Sequence, residues 1–302
     1  MGSSVQNPAE RLVLGTVQLG VNYGIANNSG QPDISTAEQI VSAAYDGGVR
    51  VLDTAQGYGR SEEVLGQVLK SLGYDDFQII SKLHPRLDHL DESSLRASLE
   101  RSLELLQVDF LGALLLHRED ELVHWNNGLG EILESFRNEG LVKQLGVSVY
   151  SPEAAVQALK TDGVDIVQLP SNLLDRRFEE AGVYELAESK NKDVHIRSIY
   201  LQGLIFCEDS ALTGNISHGK EVLKKLRTFC SELGLTLQEA AMAFVKMAYP
   251  QASVLFGAET PAQVEENILC WSKDFPEDLA RRFQREFPDV DGVLLNPSLW
   301  KK

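Results

Sequence analysis

Two hydrophobic periods alternate along the chain. Short, nearly continuous apolar runs rich in Val, Ile and Leu recur, each bounded by Gly, Asp, Asn or Pro. They predict strands over Arg11–Gly15, Val49–Asp53, Gln78–Lys82, Phe110–His117, Gln144–Val149, Ile166–Leu169, Val194–Ser198 and Ser253–Gly257. Runs this apolar belong to strands covered on both faces. The segments between them carry the helical period instead. Ser93–Leu106 places Leu95, Leu99, Leu103 and Leu106 on one stripe. A second helix starts at Ser35 or Thr36 and stops at Gly47-Gly48. A third opens on Ser61-Glu62-Glu63, with acids where the helix dipole favours them. Gly128–Glu139 ends at Gly140, and Ser151-Pro152 pairs a cap with a first-turn proline. Phe178–Ser189, Lys220–Glu232, Leu237–Ala248 and Thr260–Trp271 complete the series.

Strands and helices alternate with no break in composition, which predicts one parallel α/β system over residues 1–302. Eight such units favour a closed (β/α)8 TIM barrel in a single domain over an open sheet. A Rossmann sheet needs GxGxxG after an early strand, whereas Gly57-Tyr58-Gly59 runs on into Arg60-Ser61-Glu62. The longest connection, from Ser198 to Gly257, holds a loop at about Phe206–Gly219 and two helices. A long loop at this rim is more often functional than filler.

Charge narrows the partners. The 28 Lys and Arg against 44 Asp and Glu give a net charge of −16, which argues against nucleic acid and against an anionic membrane surface. No apolar run approaches the roughly 18 residues of a spanning helix. The start, Met1-Gly2-Ser3-Ser4-Val5-Gln6, carries neither a secretory nor a myristoylation pattern. Cys207, Cys230 and Cys270 are odd in number and far apart, so they predict reduced thiols in a cytoplasmic protein. No long apolar surface helix calls for a dimer, and a monomer or weak homo-oligomer is the expectation.

In a barrel the chemistry stands at the carboxyl ends of the strands. There the chain places Asp53, with Tyr58 just beyond, then Lys82, His117, Ser148, Gln168 and Asn172, and Arg197-Ser198. Each has an ordinary explanation alone: a cap, a solvated amine, a core imidazole. Together an acid, a phenol, an amine and an imidazole fall at the ends of three consecutive strands. A phenol titrates near 10, and an adjacent ammonium favours its ionised form. A carboxylate beside the ammonium holds it charged and oriented, and an imidazole positions a carbonyl oxygen. The set suits protonation of a nascent alkoxide. The hydride half must come from a nicotinamide cofactor.

The chain resembles the aldo-keto reductase family. The resemblance is carried by LGTVQLG (Leu14–Gly20), LDTAQGYG (Leu52–Gly59), SKL (Ser81–Leu83), LLLH (Leu114–His117), LGVSVYSP (Leu145–Pro152), VQLPSNLLDRR (Val167–Arg177), RSIYLQGLI (Arg197–Ile205) and FGAETPAQVEENI (Phe256–Ile268). It implies a barrel binding NADPH or NADH without a Rossmann domain and reducing a small aldehyde or ketone. It implies a catalytic tetrad of Asp53, Tyr58, Lys82 and His117, with Tyr58 as general acid, Lys82 and Asp53 as its tuning pair and His117 as the orienting group. Ser148 and Gln168 match positions that hold the nicotinamide carboxamide, and Arg197 with Ser198 matches the strand-seven positions under that ring. Gln202 and Gly203 match the loop beside the pyrophosphate, and Glu266 and Asn267 match positions near the adenine.

Departures from the family pattern bear on detail. Val149 stands where many members have Asn, and Arg197 where many have Tyr or Trp. A planar guanidinium can also stack on a ring. The segment Gly257-Ala258-Glu259-Thr260, with Gln263, replaces the cations that usually grip the 2′-phosphate of NADPH. Glu259 repels such a phosphate if it points inward and can accept from a ribose hydroxyl instead. For the substrate, His84, Arg86, His89 and Arg118 stand near the predicted mouth, with Arg118 more simply paired to Glu119 or Asp120. Tyr23 and Trp125 are candidate aromatic walls, or ordinary packing. A glycosidase needs a second facing carboxylate, and a metallohydrolase a tighter histidine cluster. The remaining alternative is a reductase-like barrel that binds NAD(P)H as a sensing or regulatory subunit.

Overall fold

A computed structural model describes residues 9–25, 27, 30–87 and 90–301; His89 and Met1–Gln6 lie outside them. Eight strands close on themselves: β1 (Leu12–Gly15), β2 (Val51–Asp53), β3 (Gln78–Lys82), β4 (Leu111–Leu116), β5 (Val142–Ser148), β6 (Ile166–Pro170), β7 (Asp193–Arg197) and β8 (Ser253–Gly257). Neighbours pair in parallel around the ring, and β1 closes it against β8 from Leu12↔Val254 to Gly15↔Gly257. The (β/α)8 barrel expected from the alternation is therefore the observed fold.

Side chains on a strand alternate between faces. One parity turns Leu52, Ile79, Leu114, Leu116 and Val167 out into the core shared with the helices. The other turns Ile80, Ala113, Leu115 and Ile166 into the barrel, with Val51 against them. Two residues further along each strand, the inward parity reaches Asp53, Lys82 and Gln168, and just past β4 it reaches His117. The apolar interior of the barrel is thus a floor, and the polar candidates form the layer above it.

Helices Ile34–Asp46, Ser61–Leu72, Glu92–Leu106, Leu129–Asn138, Pro152–Lys160, Gly219–Glu232, Leu237–Ala248 and Pro261–Ser272 lie between or after the strands as expected. Two start earlier than predicted because an aspartate caps them. Thr36 N donates to Asp33 Oδ1 at 2.8 Å, and Ser93 N to Asp91 Oδ1 at 3.1 Å. The helix expected over Phe178–Ser189 is broken into Arg177–Glu180 and Val183–Lys190, because Gly182 adopts a left-handed φ of +68°. Helix Leu279–Glu286, not anticipated from the sequence, packs Phe283 edge-on against Phe229 and Phe244.

Candidate active site

The strand-end residues converge on one cavity of about 380 Å³. It runs from Asp53 and Tyr58, past Gln168, Arg197 and Ser198, to Gln202 and Gly203. It ends at Gly257, Glu259, Gln263, Glu266 and Asn267. Lys82, His117 and Ser148 are not among the lining residues: Lys82 and Ser148 are buried, and the half-buried His117 stands beside Tyr58. Ser148 pairs in register with Gln168.

Tyr58 sits on the turn after β2, and glycines allow that turn its path. A Cβ on Gly20 would stand 1.8 Å from Tyr58 O, and one on Gly59, at φ +59°, 2.5 Å from Gly20 O. The two backbones interlock. Buried hydroxyls tie the same corner together. Thr16 Oγ1 donates to Asp53 O at 2.9 Å, Ser61 Oγ to Thr16 O at 2.8 Å, and Thr54 Oγ1 to Ser61 Oγ at 2.9 Å. Gln56 on the same turn accepts from His84 N at 2.6 Å and Ser98 Oγ at 2.7 Å, linking it to the segment after β3.

Lys82 Nζ donates to Asp53 Oδ1 at 2.5 Å and to Thr54 O at 2.9 Å, and Asp53 Oδ2 accepts from Gln168 Nε2 at 2.7 Å. Burial lowers the Lys82 pKa, and the ion pair with Asp53 opposes that shift. Burial, with Asp53 as a second cause, pushes the Tyr58 phenol above its ordinary range; Arg197 is the neighbour that pulls it down. This corrects the sequence expectation, in which Lys82 lowers Tyr58. The ammonium is held by Asp53 and Thr54 and lies 5.1 Å from the centre of the Tyr58 ring. His117 meets Tyr58 edge-on, with ring centres 5.5 Å apart. Burial, then the Lys82 charge, lowers its pKa to about 4, so it is a neutral imidazole at pH 7. Its Nδ1 is buried with no hydrogen-bond partner among the described residues.

The far end of the cavity has a different character. The loop leaving β7 holds Ser198, Leu201, Gln202 and Gly203 at φ +61°, +48°, +53° and +90°. A bulky residue such as Leu201 is strained there, and such strain concentrates at functional sites. Gln202 O accepts from Ile25 N at 3.0 Å, so this loop meets the one after β1. Gln263 Oε1 accepts from Glu259 N at 2.6 Å, and Asn267 Nδ2 donates to Gln263 O at 2.6 Å. Asn267 Oδ1 also accepts from the Tyr200 hydroxyl, so both polar ends of Asn267 are engaged within the protein.

Several candidates fall elsewhere. Trp125 is buried beside helix Leu129–Asn138, where its Nε1 donates to Asp162 O at 3.0 Å, so it packs and does not line the cavity. Arg118 pairs with Asp120. Arg86 is exposed, and His84 accepts from Arg86 N at 3.2 Å. Tyr23 does line the cavity. Sequence reasoning missed Gln18, Tyr200, Phe206 and Gln238 among the lining residues. It also missed His195, buried in the barrel beside Gln168 with Nδ1 lacking a partner among the described residues. The inward parity of β7, which His195 shares with Arg197, was the signal available for it.

A nicotinamide dinucleotide can be tested against these residues. Gln168 Oε1 is buried and lacks a partner among the described residues, while Gln168 Nε2 is committed to Asp53. A carboxamide N–H is a fitting donor for that orphan acceptor. Gln18 Oε1 is a second orphan acceptor, beside Gly257, where a Cβ would meet Gln18 Nε2 at 2.3 Å. The residues fit the group.

The sequence profile of the Aldo/keto reductase family matches residues 11–285, and the chain belongs to that family. Its relatives include the aldo-keto reductase YhdN of Bacillus subtilis, 30% identical over 57% of this chain and about half of that protein, 53%. The NADH-specific methylglyoxal reductase of Escherichia coli is 24% identical over 86% of this chain and 89% of its own length. The D-threo-aldose 1-dehydrogenase of a Pseudomonas species is 26% identical over 80% and 84%. Among solved structures, the holo form of an aldo-keto reductase from Bacillus halodurans superposes with a TM-score of 0.73 at 21% identity. That match covers 91% of both chains and speaks for the fold.

Proposed function

We propose that this chain, acting as one barrel domain, reduces the carbonyl group of a small aldehyde or ketone with a nicotinamide dinucleotide, and prefers NADH. One observation carries the reading. A phenol, a neutral imidazole and a buried Lys82–Asp53 pair meet at one end of a cavity whose other end is lined by polar side chains and, among the described residues, by no cation. When bound, the cofactor supplies the hydride to the carbonyl carbon. Tyr58 gives its proton to the carbonyl oxygen as that oxygen becomes an alkoxide, and recovers it from solvent. An alkoxide is a far stronger base than a phenolate, so the donor works without a lowered pKa. His117, neutral at pH 7, can donate to the same oxygen and orient it. The Lys82–Asp53 pair holds the floor beneath Tyr58, and Gln168, bonded to Asp53, presents Oε1 for the carboxamide.

The NADH preference rests on charge. Among the described residues lining the cavity, Arg197 is the one cation, and it stands at the Tyr58 end. At the other end stand Glu259 and Glu266, with nothing cationic to receive a 2′-phosphate. The NADH-specific name of the Escherichia coli relative agrees with this reading.

The test is turnover of a simple aldehyde with NADH and with NADPH, followed by loss of reduced-cofactor absorbance. Cofactor binding without turnover of any carbonyl compound would overturn the assignment and favour a sensing or regulatory role.

A further inference from the structure

Arg197 is a charge without a counter-charge at the reaction centre. It enters the cavity from the end of β7, where the family pattern has an aromatic ring, and is in no ion pair among the described residues. Its Nη2 donates to Val149 O at 3.0 Å, and its guanidinium lies 4.1 Å from the Tyr150 ring centre. These contacts hold the group in place and leave it a full cation. Glu119, which accepts from the Tyr150 and Ser151 amides at 2.6 and 2.9 Å, makes no ion pair with it.

The other groups around the centre sum to no charge. Lys82 and Asp53 form a buried pair. His117 and His195 are both held neutral by burial, and the phenols of Tyr23 and Tyr58 are pushed up by burial. Glu259 and Glu266 stand at the opposite end of the cavity. Among the described residues lining this end of the cavity, Arg197 is therefore the one charge without an oppositely charged partner.

Reduced and oxidised nicotinamide dinucleotides differ by one positive charge, on the ring. The ring must come to Tyr58 for hydride and proton to reach one carbonyl group, and Arg197 shares that wall. We infer that Arg197 makes the site discriminate between redox states, binding the reduced cofactor more tightly than the oxidised one. The balance of the reduction step is unchanged: the carbonyl would gain a hydride from the bound nucleotide and a proton from Tyr58, and the oxidised nucleotide would carry the added positive charge. Repulsion in a partly desolvated site is screened far less than at a surface. The same charge favours the alkoxide as it forms.

This inference rests on the cofactor reading above, and its test separates the two. Dissociation constants for NADH and NAD+ are measured at one pH and salt, NADH by its own fluorescence and NAD+ by calorimetry. The wild-type protein is expected to bind NADH at least about tenfold more tightly than NAD+. In Arg197→Gln, which keeps a donor for Val149 O, the ratio falls towards one, chiefly through tighter NAD+. In Arg197→Lys, which keeps the charge and loses the planar group, the ratio persists. Circular dichroism confirms that each variant is folded. If both forms bind and the ratio is the same in Arg197→Gln as in the wild type, the inference is overturned and the cofactor reading stands. If neither form binds the wild type, both fall.

Discussion

Tyr58 and His117 are opposite solutions to burial. Burial keeps the phenol protonated and the imidazole unprotonated, so at neutral pH each is in the state its proposed task needs. Tyr58→Phe removes the proton and little else. We expect kcat to drop about 10²- to 10⁴-fold while NADH affinity, read by fluorescence titration, stays within about threefold. A variant turning over at the wild-type rate would dismiss Tyr58 as the donor. His117 gives a pH signature. Its folded pKa of about 4 lies below the unfolded value near 6.5, so the unfolded chain binds more protons between those limits. The contribution is complete above about pH 6.5 and is lost as pH falls towards about 4. Thermal melts from pH 7 to 4.5 should therefore show a shallower loss of Tm in His117→Gln than in the wild type. Parallel curves would mean that His117 is not shielded as the structure has it.

Which side chains meet was legible in strands because their period is two. Asp53, Lys82 and Gln168 share the inward parity of Val51, Ile80 and Ile166, and that parity is written in the apolar residues before them. The turns were less legible. Tyr58 reaches its place because Gly20 and Gly59 let two backbones pass closer than any side chain allows, a long-range contact that no local pattern announces. Gly20→Ala tests this at the level of the element. The added methyl falls on Tyr58 O and Ser61 N, backbone atoms that cannot swing aside. We expect a cost of about 1–3 kcal/mol in urea unfolding, together with a fall in kcat as the turn shifts Tyr58. Full activity with unchanged stability would contradict the interlock. The break at Gly182 is local, made by the left-handed φ of that glycine. The short helix Leu279–Glu286 buries Leu279, Ala280 and Phe283 on one face, and Phe283 seats it on Phe229 and Phe244.

A closed barrel has no free sheet edge, so its integrity depends on the first strand finding the last. The pairing from Leu12↔Val254 to Gly15↔Gly257 makes that seam, and Arg11 fastens it from below. Its Nε donates to Ala252 O at 2.8 Å and its Nη2 to Tyr249 O at 2.6 Å, and its guanidinium lies 5.0 Å from the Trp271 ring centre. One side chain therefore joins the entry to β1, the turn before β8 and the helix Pro261–Ser272. Burial lowers its pKa to about 10, which still leaves it charged at neutral pH. Arg11→Met keeps much of the apolar stem and the contact with Trp271 but removes the charged donors from both carbonyl oxygens; Tyr249 O keeps its bond from Ala252 N. Losing hydrogen bonds from a charged donor costs about 2–4 kcal/mol. In a chain of this size that amounts to a drop of about 3–6 °C in Tm. The effect belongs to the whole molecule, so hydrogen exchange should rise along both β1 and β8, strands separated by most of the sequence. If protection fell only around residue 11, the seam would be held by its backbone ladder alone and Arg11 would be a local anchor.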